Sequence, residues 1–167
     1  YISAYVFFGL QRARAAGAVV SDEILSRAVT YLQGAQPMID ANTKGAVLDD
    51  IAFIQFTLSQ AGLADPTITS ALWDGRNRLS PASRAWVAYI LNTLNPADPR
   101  VRELISNLEA SAIVTSSSAH WETQSENIFT RGTPIYTTSI AVYVLAQVDP
   151  TNQVLFNAMR YLAAHRS

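Results

Sequence analysis

A chain of 167 residues can bury a sizeable core, and this one is apolar: 49% of its residues are hydrophobic and only 15% are charged, against about 25% charged in an average soluble domain. Its 12 Lys and Arg residues are scattered without runs and its net charge is -1, which excludes the basic surface expected of a nucleic-acid-binding protein. The absence of cysteine excludes disulfides, thiolate chemistry and Cys-based zinc sites.

Four charge-free stretches, at 1–11, 51–64, 85–97 and 132–148, alternate with segments that hold nearly all the charged residues. A helix that is apolar all round is buried, whereas a helix with one apolar stripe lies at the surface. The alternation therefore predicts two layers, with the odd helices inside and the even ones outside. We expect eight helices, at roughly 2–16, 22–34, 46–61, 66–78, 81–94, 98–114, 134–148 and 150–165.

The turns and spacings between these helices predict the fold class. Asp65-Pro66, Asp98-Pro99 and Asp149-Pro150 each stand where an even helix should begin, with Asp as N-cap and Pro as first helical residue. Ser21 has the same role before the second helix. Short turns make consecutive helices antiparallel, and their irregular spacing favours a curved or closed α/α toroid over a regular solenoid. We therefore predict a single all-α domain over 1–167.

The sequence also indicates whether this domain enters a membrane and whether it belongs to a longer protein. The longest charge-free run has 17 residues and includes Pro134, so it falls short of a membrane span. Tyr1 lies inside an apolar pattern that is already under way. We therefore expect no membrane insertion of this segment, and we expect the chain to be a piece of a longer protein.

One polar loop, predicted over 116–133, interrupts the helices and holds His120, Trp121 and Glu122. His120 could act as a general base or metal ligand, with Glu122 or Glu126 as its partner, but packing explains a solitary His equally well. Trp121 is expected to anchor the loop, with its N–H bonded; stacking on a ligand is the alternative. These are candidate loop or interface residues, and we assign no catalytic, cofactor-binding or metal-binding residue.

Two further patterns are compatible with a toroid enzyme that acts on isoprenoids or glycans. Asp49 and Asp50 form an adjacent carboxylate pair, which could protonate a substrate or hold a metal, although N-cap duty for the third helix also explains them. Aromatic residues concentrate on the inner helices, where they could stabilise a carbocation or pack in the core. These aromatics are Tyr5, Phe7, Phe8, Phe53, Phe56, Trp86, Tyr89 and Tyr143.

Several blocks resemble one known family. AHWE at 119–122, followed by a polar loop and TTSIAVYVLA at 137–146, resembles the thioester domain of alpha-2-macroglobulins and related complement proteins. ISAYVFFGLQRARAAG at 2–17, with AVTYL at 28–32, resembles an earlier helix pair of the bacterial members. The resemblance implies a six-hairpin α/α toroid, about two thirds of it present here, within a protease-trapping protein.

The resemblance also sets functional expectations. The family's thioester joins a Cys and a Gln in a motif like Cys-Gly-Glu-Gln, which this chain lacks, so it would be scaffold of a non-enzymatic, extracytoplasmic protease trap. Its partners would be other domains of the parent chain and, through them, target proteases. Exposed terminal hairpins would favour self-association. The alternatives are the toroid enzyme and a helical-repeat interaction module, which would show an open concave surface instead of a ring.

Overall fold

The computed structural model describes residues 1–122 and 133–166, and this part of the chain is predominantly helical. Eight α-helices follow one another within it, with a 3-10 turn (Arg76–Arg78) after the fourth and a small β-hairpin after the sixth. The helices are α1 (Ile2–Ala15), α2 (Asp22–Gly34), α3 (Gly45–Ser59), α4 (Pro66–Asp74), α5 (Pro81–Leu94), α6 (Pro99–Ala110), α7 (Pro134–Val148) and α8 (Gln153–Ala164). The predicted all-α class is confirmed.

Two of the even helices begin at the predicted caps. The Asp65 carboxylate accepts the backbone N–H of Thr67 at 2.7 Å at the start of α4, and Asp98 accepts the N–H of Arg100 at 2.9 Å at the start of α6. The Arg100 guanidinium also bonds the Asp98 side chain, and this contact holds the pKa of that carboxyl below its ordinary value. Such caps satisfy N–H groups that have no partner inside the helix.

The other two predicted caps differ in the structure. Ser21 precedes α2, but its side chain makes no capping bond. The prediction for Asp149-Pro150 is wrong, because α8 begins at Gln153 and the Asn152 side chain accepts the N–H of Val154 at 3.1 Å. The Asp149 carboxylate instead accepts the Asn152 amide at 2.9 Å, so it orients the residue that caps the helix.

The helices form the two layers that the charge pattern predicts. The odd helices lie in a row in which α1 contacts α3, α3 contacts α5 and α5 contacts α7, and each even helix packs against an odd neighbour. Every residue of α3 from 51 to 59 is buried, and most of α5 is buried as well. The core therefore centres on the two middle helices of the row.

Helix α1 contradicts the expectation that a charge-free helix is buried all round. Only Ala4 and Phe7 are buried, while Ile2, Tyr5 and Val6 are 78%, 62% and 54% exposed. The reason is its place at the end of the row, where its main contacts among the described residues are with α2 and α3.

The hairpin replaces the last turn predicted for the sixth helix. β1 (Ile113–Val114) pairs antiparallel with β2 (Ala119–His120), with Ile113 opposite His120. β-Branched residues favour a strand over a helix end. The hairpin leads the chain back to α7 and α8, both of which contact β2. Within the described ranges, no helix combines the length and apolar character that crossing a bilayer requires.

Candidate functional site

Trp121 lies directly after β2 and ties the hairpin to the helices. Its side chain is fully buried. The indole Nε1–H donates to the carbonyl oxygen of Leu108 at 2.8 Å, and the backbone N–H donates to the Thr138 hydroxyl at 3.1 Å. This geometry matches the expected anchor with a bonded N–H, and a fully buried ring leaves no face open for stacking on a ligand.

His120 lies at the edge of the same hairpin in a stack of three rings. Its imidazole stacks on Tyr161 with centroids 4.6 Å apart, and His165 stacks on the same tyrosine at 4.1 Å. The Nδ1 of His165 lies 2.8 Å from the carbonyl oxygen of Tyr161, which can only accept, so this nitrogen donates. The tyrosine ring lies between the two imidazoles, and they do not converge on a common ligand.

Glu122 gives His120 little electrostatic support. The His120 Nε2 lies 3.8 Å from the Glu122 carboxylate, whose side chain is 65% exposed, and exposed pairs at this distance contribute little. The Nδ1 of His120 is buried, and no described residue bonds it. A general base needs a partner that orients it.

None of the described residues forms a group of three His, Cys, Asp or Glu that could hold a metal. Glu126, the other predicted partner, lies outside the described residues, as do positions 123–132 of the predicted loop.

The Asp49-Asp50 pair is not the cap of α3, and that interpretation is wrong. The helix begins at Gly45, one turn earlier. Asp49 is buried, and its carboxylate accepts the backbone N–H of Ser80 at 3.0 Å. It thus ties α3 to the start of α5, and its carboxylate faces the Ser80 turn.

A cavity of about 200 Å³ lies among the four odd helices, and its lining is aromatic. Its walls carry no charged residue. Neighbouring rings of the lining contact one another. The centroids of Phe53 and Trp86, for example, are 4.9 Å apart. The Trp86 Nε1 is buried, and no described residue bonds it. The lining residues are Tyr1, Tyr5, Phe8, Phe53, Phe56, Trp86, Tyr136, Ile140 and Tyr143.

Arg12 joins the first and last helices of the row beside this cavity. Its guanidinium donates to the Tyr143 hydroxyl at 2.8 Å and lies 5.1 Å from the centroid of the Phe8 ring. Both rings line the cavity. One long side chain therefore bridges α1 and α7 beside the cavity, and side chains from all four odd helices line it.

Sequence reasoning missed Arg12 and the ring stack for different reasons. Arg12 and Tyr143 are 131 positions apart, and no local pattern links them. The spacing of four between Tyr161 and His165 places both rings on the same side at the C-terminal end of α8 and could have revealed half of the stack. Their contact with His120 depends on the hairpin.

Neither a protein-family model nor a curated protein matches this sequence. Solved structures do match, and nearly the whole chain takes part. Salmonella alpha-2-macroglobulin reacted with methylamine is similar with a TM-score of 0.76 and 17% identity over 97% of this chain.

Two structures from Escherichia coli match comparably. The native alpha-2-macroglobulin from domain MG7 to the C-terminus has a TM-score of 0.73 and 18% identity over 98% of this chain. The native conformation of the same protein, from cryo-EM, has a TM-score of 0.74 and 15% identity. This chain spans 10% of the Salmonella chain and 26% of the shorter E. coli chain. The chain therefore has the fold of a segment of the bacterial alpha-2-macroglobulins.

Proposed function

We propose that this chain is scaffold of the thioester domain in a bacterial alpha-2-macroglobulin-like protease trap. The observation that carries the proposal is the match over 97% and 98% of the chain to the Salmonella and E. coli proteins. At 17% and 18% identity the match supports the fold, and the role follows from the resemblance of the 119–122 block. The chain contributes no thioester residue, since it has no cysteine.

The role of this segment is to hold a two-layer frame rigid inside a protein that changes conformation. The buried middle helices and the Trp121 anchor suit that role. The apolar side chains of Ile2 and Val6 on α1 would contact other domains of the parent chain or a second copy. The parent would work outside the cytoplasm, where it meets the proteases that it traps.

The fold also bears on the two alternatives. An isoprenoid or glycan enzyme predicts paired acids or a metal in the central cavity together with aromatic walls, and the lining has the aromatic walls but no carboxylate. An open interaction module predicts a concave surface with separated ends, whereas Arg12 bonds Tyr143 across the row. Both observations favour the ring-shaped scaffold.

The full-length protein tests the proposal. Its gene should encode a Cys-x-x-Gln motif upstream of Tyr1 with β-sandwich domains on either side. Trypsin treatment should change the overall dimensions of the protein in small-angle scattering and leave trypsin bound to it. A catalytically inactivated trypsin is the control and should do neither. A parent with neither the motif nor a response to active trypsin would refute the proposal.

A further inference from the structure

The central cavity is suited to a small apolar ring. Its lining consists of aromatic side chains and Ile140, and it measures about 200 Å³. An enclosed apolar cavity of roughly 150 Å³ takes up benzene, and this cavity, which is partly open to solvent, has room for one such ring. Aromatic walls add edge and offset stacking to the burial of a ring. The occupant that this geometry favours is therefore a single aromatic ring with a short substituent.

The charge beside the cavity specifies that substituent. The Arg12 guanidinium lies 5.8 Å from the centroid of the Tyr143 ring and 5.1 Å from that of Phe8. One of its nitrogens donates to the Tyr143 hydroxyl, which leaves further N–H groups of the five-donor fork. Among residues 1–122 and 133–166, Arg12 forms no ion pair. Arg14, two positions on, is already paired with Asp22 at 2.6 Å.

We propose that the cavity among the odd helices binds small aryl carboxylates, with the ring inside the aromatic lining and the carboxylate against Arg12. A guanidinium recognises a carboxylate through paired N–H donors. Because Arg12 is exposed, its contribution is selectivity for the anion, while burial of the ring supplies most of the affinity. The binding site stands independently of the proposed scaffold role.

The test compares two ligands that differ only in charge, 3-phenylpropionate and 3-phenylpropanamide. Ligand-observed NMR on the full-length protein measures both dissociation constants. We expect the carboxylate to bind about two- to five-fold more tightly at low salt, since an exposed charge pair contributes little more than that. Roughly 0.5 M salt should abolish the difference, because the charges are then screened.

Matched variants separate the two parts of the site. Arg12→Gln should reduce carboxylate binding to the level of the amide, whereas Arg14→Gln should leave the preference unchanged. Ile140→Trp should fill the cavity and weaken both ligands at least ten-fold. Ile135→Trp is its control, since this residue lies on the same helix, is 46% exposed and does not line the cavity.

Two results would overturn the proposal. If neither ligand binds the unmodified protein at millimolar concentration, the cavity takes no aryl ring. If the amide binds as tightly as the carboxylate at low salt, Arg12 does not select the anion. Both comparisons use the unmodified protein and remain decisive if Ile140→Trp fails to fold. Neither result bears on protease trapping.

Discussion

Two buried tryptophans differ in one hydrogen bond and provide a matched pair for stability measurements. Trp86 and Trp121 are 1% and 0% exposed. The Trp121 N–H donates to Leu108 at 2.8 Å, whereas the Trp86 N–H has no partner among the described residues. Replacing each with Phe removes the same atoms, and the loss of ring volume is common to both.

The expected difference follows from the partners of each N–H. Trp121→Phe loses one hydrogen bond, a net cost of about 0.5–1.5 kcal/mol. The Leu108 carbonyl keeps its bond from the Ser111 hydroxyl at 2.9 Å, so no further penalty arises. Trp86→Phe removes a buried donor whose unsatisfied state costs about 1–3 kcal/mol. We therefore expect Trp121→Phe to be the more destabilising by about 1.5–4.5 kcal/mol.

Urea unfolding of the two variants and of the unsubstituted chain, monitored by far-UV circular dichroism, measures this difference in stability. Circular dichroism avoids the fluorescence change that loss of a tryptophan causes. Equal m-values would show that the variants unfold to comparable states. Equal loss of stability in the two variants, or a greater loss for Trp86→Phe, would refute the reasoning from hydrogen bonds.

Three further predictions rest on single contacts. Gly45→Ala would place a Cβ 2.5 Å from the backbone oxygen of Arg78 and should lower the free energy of unfolding in urea by about 1–3 kcal/mol. Its control, Gly9→Ala, has nothing within 4 Å of the new Cβ and should raise that free energy by about 0.5–1 kcal/mol. Equal effects of the two substitutions would contradict the close approach of Gly45 to Arg78. Asp49→Ala leaves the Ser80 N–H without its acceptor and should lower the free energy of unfolding by about 1–3 kcal/mol. Asp22→Ala breaks the exposed ion pair with Arg14 and should change that free energy by less than about 1 kcal/mol. Contact with the Arg100 guanidinium holds the folded pKa of Asp98 below its ordinary value, so the contribution of this carboxylate to stability is present at neutral pH and is lost as the pH falls through the folded pKa. Asp98→Asn keeps a capping oxygen and should flatten the fall of the urea midpoint at acid pH, and an unchanged fall would exclude Asp98 as its source.

The helices were largely predictable from local chemistry. α2, α5 and α7 have the predicted bounds, because apolar periods and the residue types at helix ends act within a few positions. Boundaries failed where a longer-range contact intervened. The sixth helix ends at Ala110 because the segment after it pairs with β2, and α8 begins late because the Asp149 carboxylate bonds Asn152.

The candidate site was predictable only in part. The loop residues were found because His120 and Trp121 stand out in a polar segment, and burial of Trp121 follows from its size. The aromatic residues were found on the inner helices, but the interpretation as core applies only to some of them. Phe7 is buried, whereas Tyr5 and Phe8 line the cavity.

Charge and apolar period along the chain suffice to distinguish two types of helix, since they decide which helices can be buried and which must face water. Which apolar helix ends the row and stays half exposed depends on how the helices pack together. The contact partners of the buried carboxylate and of the cavity rings depend on the same packing. Asp49 and Ser80, or Arg12 and Tyr143, are brought together by the stacking of whole helices. Such contacts join distant residues, and a pattern that acts over one or two helical turns carries no information about them.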